Sequence, residues 1–287
     1  MPEWIRVRGP TPAQAAGMCA VRAILSKHGL RTVCEKAICP NATECWGART
    51  ATFMILGNVC TRACRFCAVE TGDPGGVLDL GEPARLAAAV AELGLEYVVL
   101  TSVDRDDLDD GGASTYAESV RRIKAAVPDA HVELLLPDFS GDSRALDEIL
   151  ASPADVLAHN VETVPSLTPI LRDRRAGYEQ SITVLARLRT GGEGRPVKSG
   201  LMVGLGETRE ELAAAFRDLR GAGVDILTVG QYLRPTQGAV PVARFVPPEE
   251  FDEIGDEARR IGFRSVVAGP LVRSSYHAAE AFEEGCA

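Results

Sequence analysis

Residues 51–69 read ATFMILGNVCTRACRFCAV: an apolar, partly β-branched run, a Gly-Asn turn, then Cys60, Cys64 and Cys67 on one short loop. The run has the content of a buried strand. The spacing C-x3-C-x2-C gathers three thiolates, which suits three corners of a cubane iron–sulfur cluster and leaves the fourth iron without a protein ligand. Electron-transfer clusters are closed by four cysteines, so this loop implies that something else binds iron. Catalytic zinc sites differ from structural ones by the same logic, with the open position carrying the chemistry. Phe66, beside the last cysteine, is placed to cover such a cluster and exclude water.

A second triad lies upstream. Cys34, Cys39 and Cys45 fall in VCEKAICPNATECW with spacing C-x4-C-x5-C, so six of the eight cysteines form two sets of three. The opening residues MPEWIRVRGPTP look neither secretory nor membrane-spanning nor like a transit peptide, which predicts a cytoplasmic chain. Clustered cysteines in an intracellular protein point to metal rather than to disulfides. Structural zinc is the stronger alternative, yet only Cys64 and Cys67 have the short spacing of zinc modules, and two threes do not divide into fours. Cys19 and Cys286 match no motif.

Downstream of residue 50 the chain alternates strand-like and helix-like segments, the mark of parallel βα units. Strands are expected at 51–56, 97–102, 132–136, 156–159, 200–203 and 226–231. Helices are expected at 82–93, 114–126, 144–150, 178–188, 208–219 and 247–261. Gly94 is a natural stop for the first helix, Thr208 and Glu211 fit a capping box, and Pro247–Pro248 suit a first helical turn. Six units fall short of the eight of a closed barrel. The expectation is an α/β fold, a partial (βα)6 TIM-like barrel over 51–265. An N-terminal extension, 1–50, carries the first triad, and a C-terminal tail covers 266–287.

With 31 basic and 40 acidic residues in 287, net −9, the chain is a poor candidate for non-specific nucleic-acid binding. No apolar run reaches the ~18 residues of a membrane span. His28, His131, His159 and His277 show no ligand spacing. GLGE (204–207) lacks the third glycine of a dinucleotide fingerprint and comes too late for one. The acidic run Asp104–Asp110 lacks the glutamate and glycine positions of a calcium loop and is expected to be mostly solvated or capping. RDRRAG, 172–177, by charge alone could be merely a surface turn.

Together these strings resemble the lipoyl synthase family of radical S-adenosylmethionine enzymes. The likeness covers most of the chain: VCEKAICPNATECW, CTRACRFCAVETGDP, VLTSVDRDDLDDGGA, HNVETV, LRDRRAGYEQSITVL, KSGLMVGLGE, TVGQYLRPT and GPLVRSSYHA. RDRRAG falls in one of these strings, which lifts it toward a functional role. The resemblance implies two [4Fe–4S] clusters. Cys60, Cys64 and Cys67 would hold the one whose open iron is chelated by S-adenosylmethionine. Cys34, Cys39 and Cys45, with Ser275 of the Arg273-Ser274-Ser275-Tyr276 string, would hold an auxiliary cluster; Ser274 is the alternative ligand. A serine alkoxide is a hard ligand for iron and would make that corner labile. By the same resemblance Thr101, Ser102 and Asp104 are candidates for the aminocarboxylate end of S-adenosylmethionine. Asn160 and Glu162 are candidates for its ribose, and Lys198 could neutralise a carboxylate.

The implied activity is sulfur insertion at carbons 6 and 8 of an octanoyl group, carried as an amide on a lysine of a lipoyl carrier protein. An alkyl C–H has no useful acidity, so the chemistry must be homolytic: a 5′-deoxyadenosyl radical removes hydrogen, and the auxiliary cluster donates sulfur and is consumed. No residue acts as a general acid or base. An external electron donor such as ferredoxin or flavodoxin is implied, and neither nucleic acid nor membrane. The family loop after TVGQYLRPT usually carries lysines where this chain has Gln237 and Gly238. Two rival readings are a biotin-synthase-like sulfur inserter and a non-catalytic two-cluster electron carrier; the first triad with Ser275 argues against the former. Closure by cysteine alone would mark the latter.

Overall fold

The computed structural model describes residues 2–6, 9–36 and 39–286. They form two compact units, one from Val7–Thr61 and Val69–Asp155, the other from Met1–Arg6, Arg62–Ala68 and Val156–Ala287.

The first unit opens with three helices: α1 (Pro12–Lys27), α2 (Val33–Lys36) and α3 (Ala42–Gly47). α1 has a signal that sequence reasoning passed over, a capping box in which Thr11 and Gln14 satisfy each other's backbone N–H groups, with Pro12 at the first helical position. β1 (Thr50–Ile55) follows, then the short strands β2 (Val59–Cys60) and β3 (Glu70–Thr71). Next come α4 (Glu82–Leu93), β4 (Tyr97–Ser102), α5 (Ala113–Ala126), β5 (His131–Leu135) and α6 (Ser143–Leu150). β1, β4 and β5 lie side by side and parallel, with Ala51 opposite Val98 and Val98 opposite Val132. Every residue of β1 is buried, which explains its apolar run, since parallel strands are covered on both faces. α4 stops where Gly94 turns left-handed at φ 60° and returns its N–H to the last turn, as its glycine predicts. Val90, Val98, Val99, Leu100, Val120 and Ile123 are fully buried. Each such side chain contributes about 1.5–3 kcal/mol.

The second unit carries β6 (Val156–Ala158), α7 (Thr168–Leu171), α8 (Tyr178–Gly191), β7 (Val197–Val203), α9 (Arg209–Gly221) and β8 (Ile226–Gln231). It ends with α10 (Pro248–Ile261), β9 (Ser265–Gly269) and α11 (Ala278–Cys286). β6 to β9 pair in chain order, all parallel. The six expected strands are therefore present, and β9 adds one that sequence reasoning left out. Its run, SVVAG, is short and ends in glycine, so it carries little periodicity. The Thr208–Glu211 capping box forms as expected. Where β8 begins, Asp225 is 1% exposed; it pairs with Arg189 at 2.9 Å and accepts the Val197 N–H. Arg220 and Arg264 stand 3.6 Å from its other oxygen. Removing any one charge from a buried cluster of this kind would leave the others uncompensated. No helix among the described residues is long and apolar enough to cross a membrane.

Candidate functional site

In the first unit Cys60 ends β2, opposite Thr71 of β3, and its carbonyl accepts the Gly72 N–H at 2.9 Å. Thr61 donates its N–H to the Asp104 carbonyl (3.0 Å) and its hydroxyl to the Asp106 carboxylate (2.7 Å). The Cys60 thiol lies 3.7 Å from Asp104 Oδ2. Arg105 is buried and donates to the Leu56 and Val77 carbonyls while forking onto Asp107. Asp107 in turn accepts the Gly76 N–H. Asp110 caps α5 by accepting from Gly112 and Ser114. The acidic run thus has two tasks. Its far end caps a helix, as expected, but Asp106 and Asp107 are braces that tie the β4 loop to both flanks of the cysteine loop. Gly112 sits at φ 90°, and a Cβ there would collide with Leu56, whose own φ is 66°. Only glycine fits that close approach.

The second unit holds the rest of the loop. Cys67 donates its N–H to the Cys64 carbonyl at 3.1 Å. Arg65 N–H meets the Leu171 carbonyl at 2.7 Å and its guanidinium meets the Ile170 carbonyl at 3.2 Å. Ala63 N–H meets the Asp173 carboxylate at 3.0 Å, and the Asp173 N–H points at Cys64 Sγ at 3.3 Å. Arg175 forks onto Asp173 and holds its carboxyl well below the usual carboxylate range. From the β8 side the Val240 N–H reaches the Arg65 carbonyl at 3.0 Å, and the Tyr232 hydroxyl donates to the Val240 carbonyl at 2.8 Å. Phe66 packs against the apolar group of Leu171, Leu205, Tyr232 and Val240. RDRRAG is therefore no mere surface turn, because its Asp173 faces the cysteine loop. Charge alone does not separate a clasp from a solvated face; the resemblance lifts this string toward a functional role without saying which of its residues turns inward.

The remaining strand-end residues differ in what they offer. Thr101 and Ser102 close β4 half-buried, and both hydroxyls bear on the Tyr116 phenol, whose ionisation burial opposes. The Ser102 hydroxyl also donates to the Val103 carbonyl. Asn160 follows β6, and its side-chain oxygen is buried with no hydrogen-bond partner. Such an orphan normally has an explanation, and an acceptor awaiting a hydroxyl is one. Glu162 has φ 67° and bridges Leu201 of β7; a non-glycine residue in this region stores strain of the kind found at functional sites. Lys198 is buried as the second residue of β7. In register it faces Ala158, the last residue of β6, and its carbonyl accepts the His159 N–H at 3.1 Å, so its backbone lies just ahead of Asn160. Glu207 closes GLGE on itself by accepting the N–H groups of Gly204 and Leu205. His159 is buried against Ser181, which also accepts from Arg172.

The first triad is arranged locally. Cys34 is buried on α2, and burial pushes its thiol up. The Cys39 N–H donates to the Cys34 carbonyl (2.9 Å) and the Cys45 N–H to that of Asn41 (3.0 Å). The indole N–H of Trp46 approaches Cys34 without completing a hydrogen bond and is otherwise buried and unpartnered. An orphan donor beside a thiol fits a site meant for an anionic iron–sulfur group. Ser275 lies half-buried in the turn 274–277, ahead of α11. Among the described residues no disulfide forms and no three Cys, His, Asp or Glu side chains converge on one ion point. A single convergence point is what tetrahedral zinc requires, whereas the thiolates of a cubane each take a different iron. Thiols in two sets of three are a donor set whose chemistry suits iron–sulfur clusters.

Residues 54–219 match the model of the radical SAM superfamily. A lipoyl synthase from Pyrobaculum arsenaticum is 54% identical over 285 residues, covering 99% of this chain and 95% of that protein. Lipoyl synthases from Thermus thermophilus (54% identical, covering 99% and 87%) and Halorhodospira halophila (55%, covering 98% and 84%) are similar over the same extent. Among solved structures, the hydrogenase maturase HydG from Carboxydothermus hydrogenoformans superimposes with a TM-score of 0.57 at 14% identity. That match covers 95% of this chain and 78% of HydG. Methylornithine synthase (PylB) gives 0.52 at 15%, covering 86% and 80%. At those identities the likeness speaks for the fold alone, an α/β partial barrel of TIM-like type.

Proposed function

This chain belongs to the lipoyl synthases of the radical SAM superfamily, and from that premise we propose how its residues divide the work of inserting two sulfur atoms, at carbons 6 and 8, into an octanoyl group on a lysine of a lipoyl carrier protein. S-adenosylmethionine and one [4Fe–4S] cluster come with the superfamily; when bound, they supply one-electron cleavage and a hydrogen-abstracting radical, which saturated carbon requires. Cys60, Cys64 and Cys67 hold that cluster. Cys34, Cys39 and Cys45, with Ser275, hold a second cluster that is the sulfur source. What supports the division is the count: two separate sets of three cysteines.

Asp104, beside Cys60, is suited to accept from an ammonium group at the open iron, and the unpaired oxygen of Asn160 to accept from a ribose hydroxyl. Glu162 is held ready by its strained backbone. Thr101 and Ser102 support the aminocarboxylate end while bonded around Tyr116. Lys198, buried opposite the end of β6, is suited to neutralise a carboxylate there. Phe66 and its apolar neighbours exclude water. The protein works in the cytoplasm, takes electrons from a ferredoxin or flavodoxin, and contacts its carrier without the lysines that the family usually has where Gln237 and Gly238 stand here.

The test is anaerobic reconstitution followed by single turnover on an octanoyl-lysine peptide. The expected outcome is about eight irons per chain, two cubanes of four, and a product heavier by two sulfurs. One tightly bound zinc and no sulfide would overturn the reading.

A further inference from the structure

Three consecutive residues of the cysteine loop are bonded to one short segment of the same unit. Ala63 N–H meets the Asp173 carboxylate (3.0 Å), Cys64 Sγ receives the Asp173 N–H (3.3 Å), and Arg65 N–H meets the Leu171 carbonyl (2.7 Å). Asp173 is therefore bonded twice to the loop, by its side chain to the residue before the cysteine and by its backbone to the cysteine sulfur. Each bond fixes the geometry of the other. The carboxylate is in turn locked by the Arg175 N–H (3.0 Å) and by Arg175 Nε (2.9 Å).

We infer that Asp173 is a positioning residue that sets the reduction potential of the cluster held by Cys60, Cys64 and Cys67, by clamping its own backbone N–H onto the Cys64 sulfur. The inference rests on the proposed ligand set for that cluster. A hydrogen bond to a ligating sulfur withdraws charge from it and favours the reduced, more negative state, which raises the potential. A bare carboxylate at the same place would act in the opposite sense. Arg175 cancels that charge, so the pair delivers the N–H without its anion. A charged turn that merely faced solvent would need neither bond.

The measurement is an EPR-monitored redox titration of the reconstituted holoenzyme, following the reduced-cluster signal that changes on adding S-adenosylmethionine. Three proteins separate charge from tether. Asp173→Asn keeps an oxygen for the Ala63 N–H but leaves Arg175 unneutralised, so the midpoint should stay level or rise. The double variant Asp173→Ala with Arg175→Ala removes a neutral pair and the tether together. Its midpoint should fall by roughly tenfold in the reduction equilibrium, about 59 mV for one electron. A double variant that keeps its cluster at the parent midpoint overturns the inference. So does an Asn variant whose midpoint drops, and this variant decides alone if the double one fails to retain the cluster. Absence of any S-adenosylmethionine-responsive signal in the unaltered protein would sink the ligand assignment and the inference together.

Discussion

Around Cys60, Cys64 and Cys67 the backbone is bonded outward: Thr61 to the β4 loop, Ala63 and Arg65 to residues 171–173, and Arg65 again to Val240. Among the described residues around Cys34, Cys39 and Cys45 the backbone bonds within the triad are local, Cys39 to Cys34 and Cys45 to Asn41, and the Cys34 thiol takes a backbone N–H from Thr52 of β1. On the ligand assignment proposed above, the first arrangement suits a cluster that must present one iron in a fixed place through every turnover, and the second a cluster that is taken apart.

The comparison breaks most plainly at the ligands. Replacing Cys60, Cys64 and Cys67 together by alanine should halve bound iron and abolish S-adenosylmethionine cleavage, read as methionine and 5′-deoxyadenosine release. Replacing Cys34, Cys39 and Cys45 should leave that cleavage running and stop sulfur insertion; lipoyl product from this variant would show that the first triad is not the donor. Ser275→Cys should give a stable two-cluster protein with badly impaired insertion. Thiolate is the softer, preferred ligand for iron and would resist the loss that frees sulfur. Full activity in both Ser275→Ala and Ser275→Cys would move attention to Ser274.

Two smaller effects sharpen the contrast in stability. Arg105→Ala removes one partner of a buried pair bracing the cysteine loop and should cost about 3–5 kcal/mol in chemical denaturation of the apoprotein. Thr208→Ala, at a helix cap that touches neither triad, should cost only about 1 kcal/mol. A cost for Arg105→Ala no larger than the cap's would mean that the brace is ornamental.

The fold was legible where pattern and punctuation agree: β1 from its apolar run, α4 from Gly94, α9 from its capping box. β9 was not, because five residues ending in glycine carry no period. The cysteines announced themselves by spacing, since thiolate geometry is local. Asp173 and Asp106 did not. Their value comes from contacts with residues 110 and 45 positions away, and nothing in a charged string says which carboxylate turns inward.

The segment after β8 is pinned at both ends and open in its middle. Gln231 donates to the carbonyls of Val203, Tyr232 and Arg244 and accepts the Val246 N–H, while Val240 is held by Tyr232 and Arg65. Residues 234–238 between these anchors are exposed. A tip mounted this way is insulated from the metal chemistry at its base. Substitution at Gln237 or Gly238 can change what this tip meets while the loop that holds Cys64, bonded elsewhere, stays where it is.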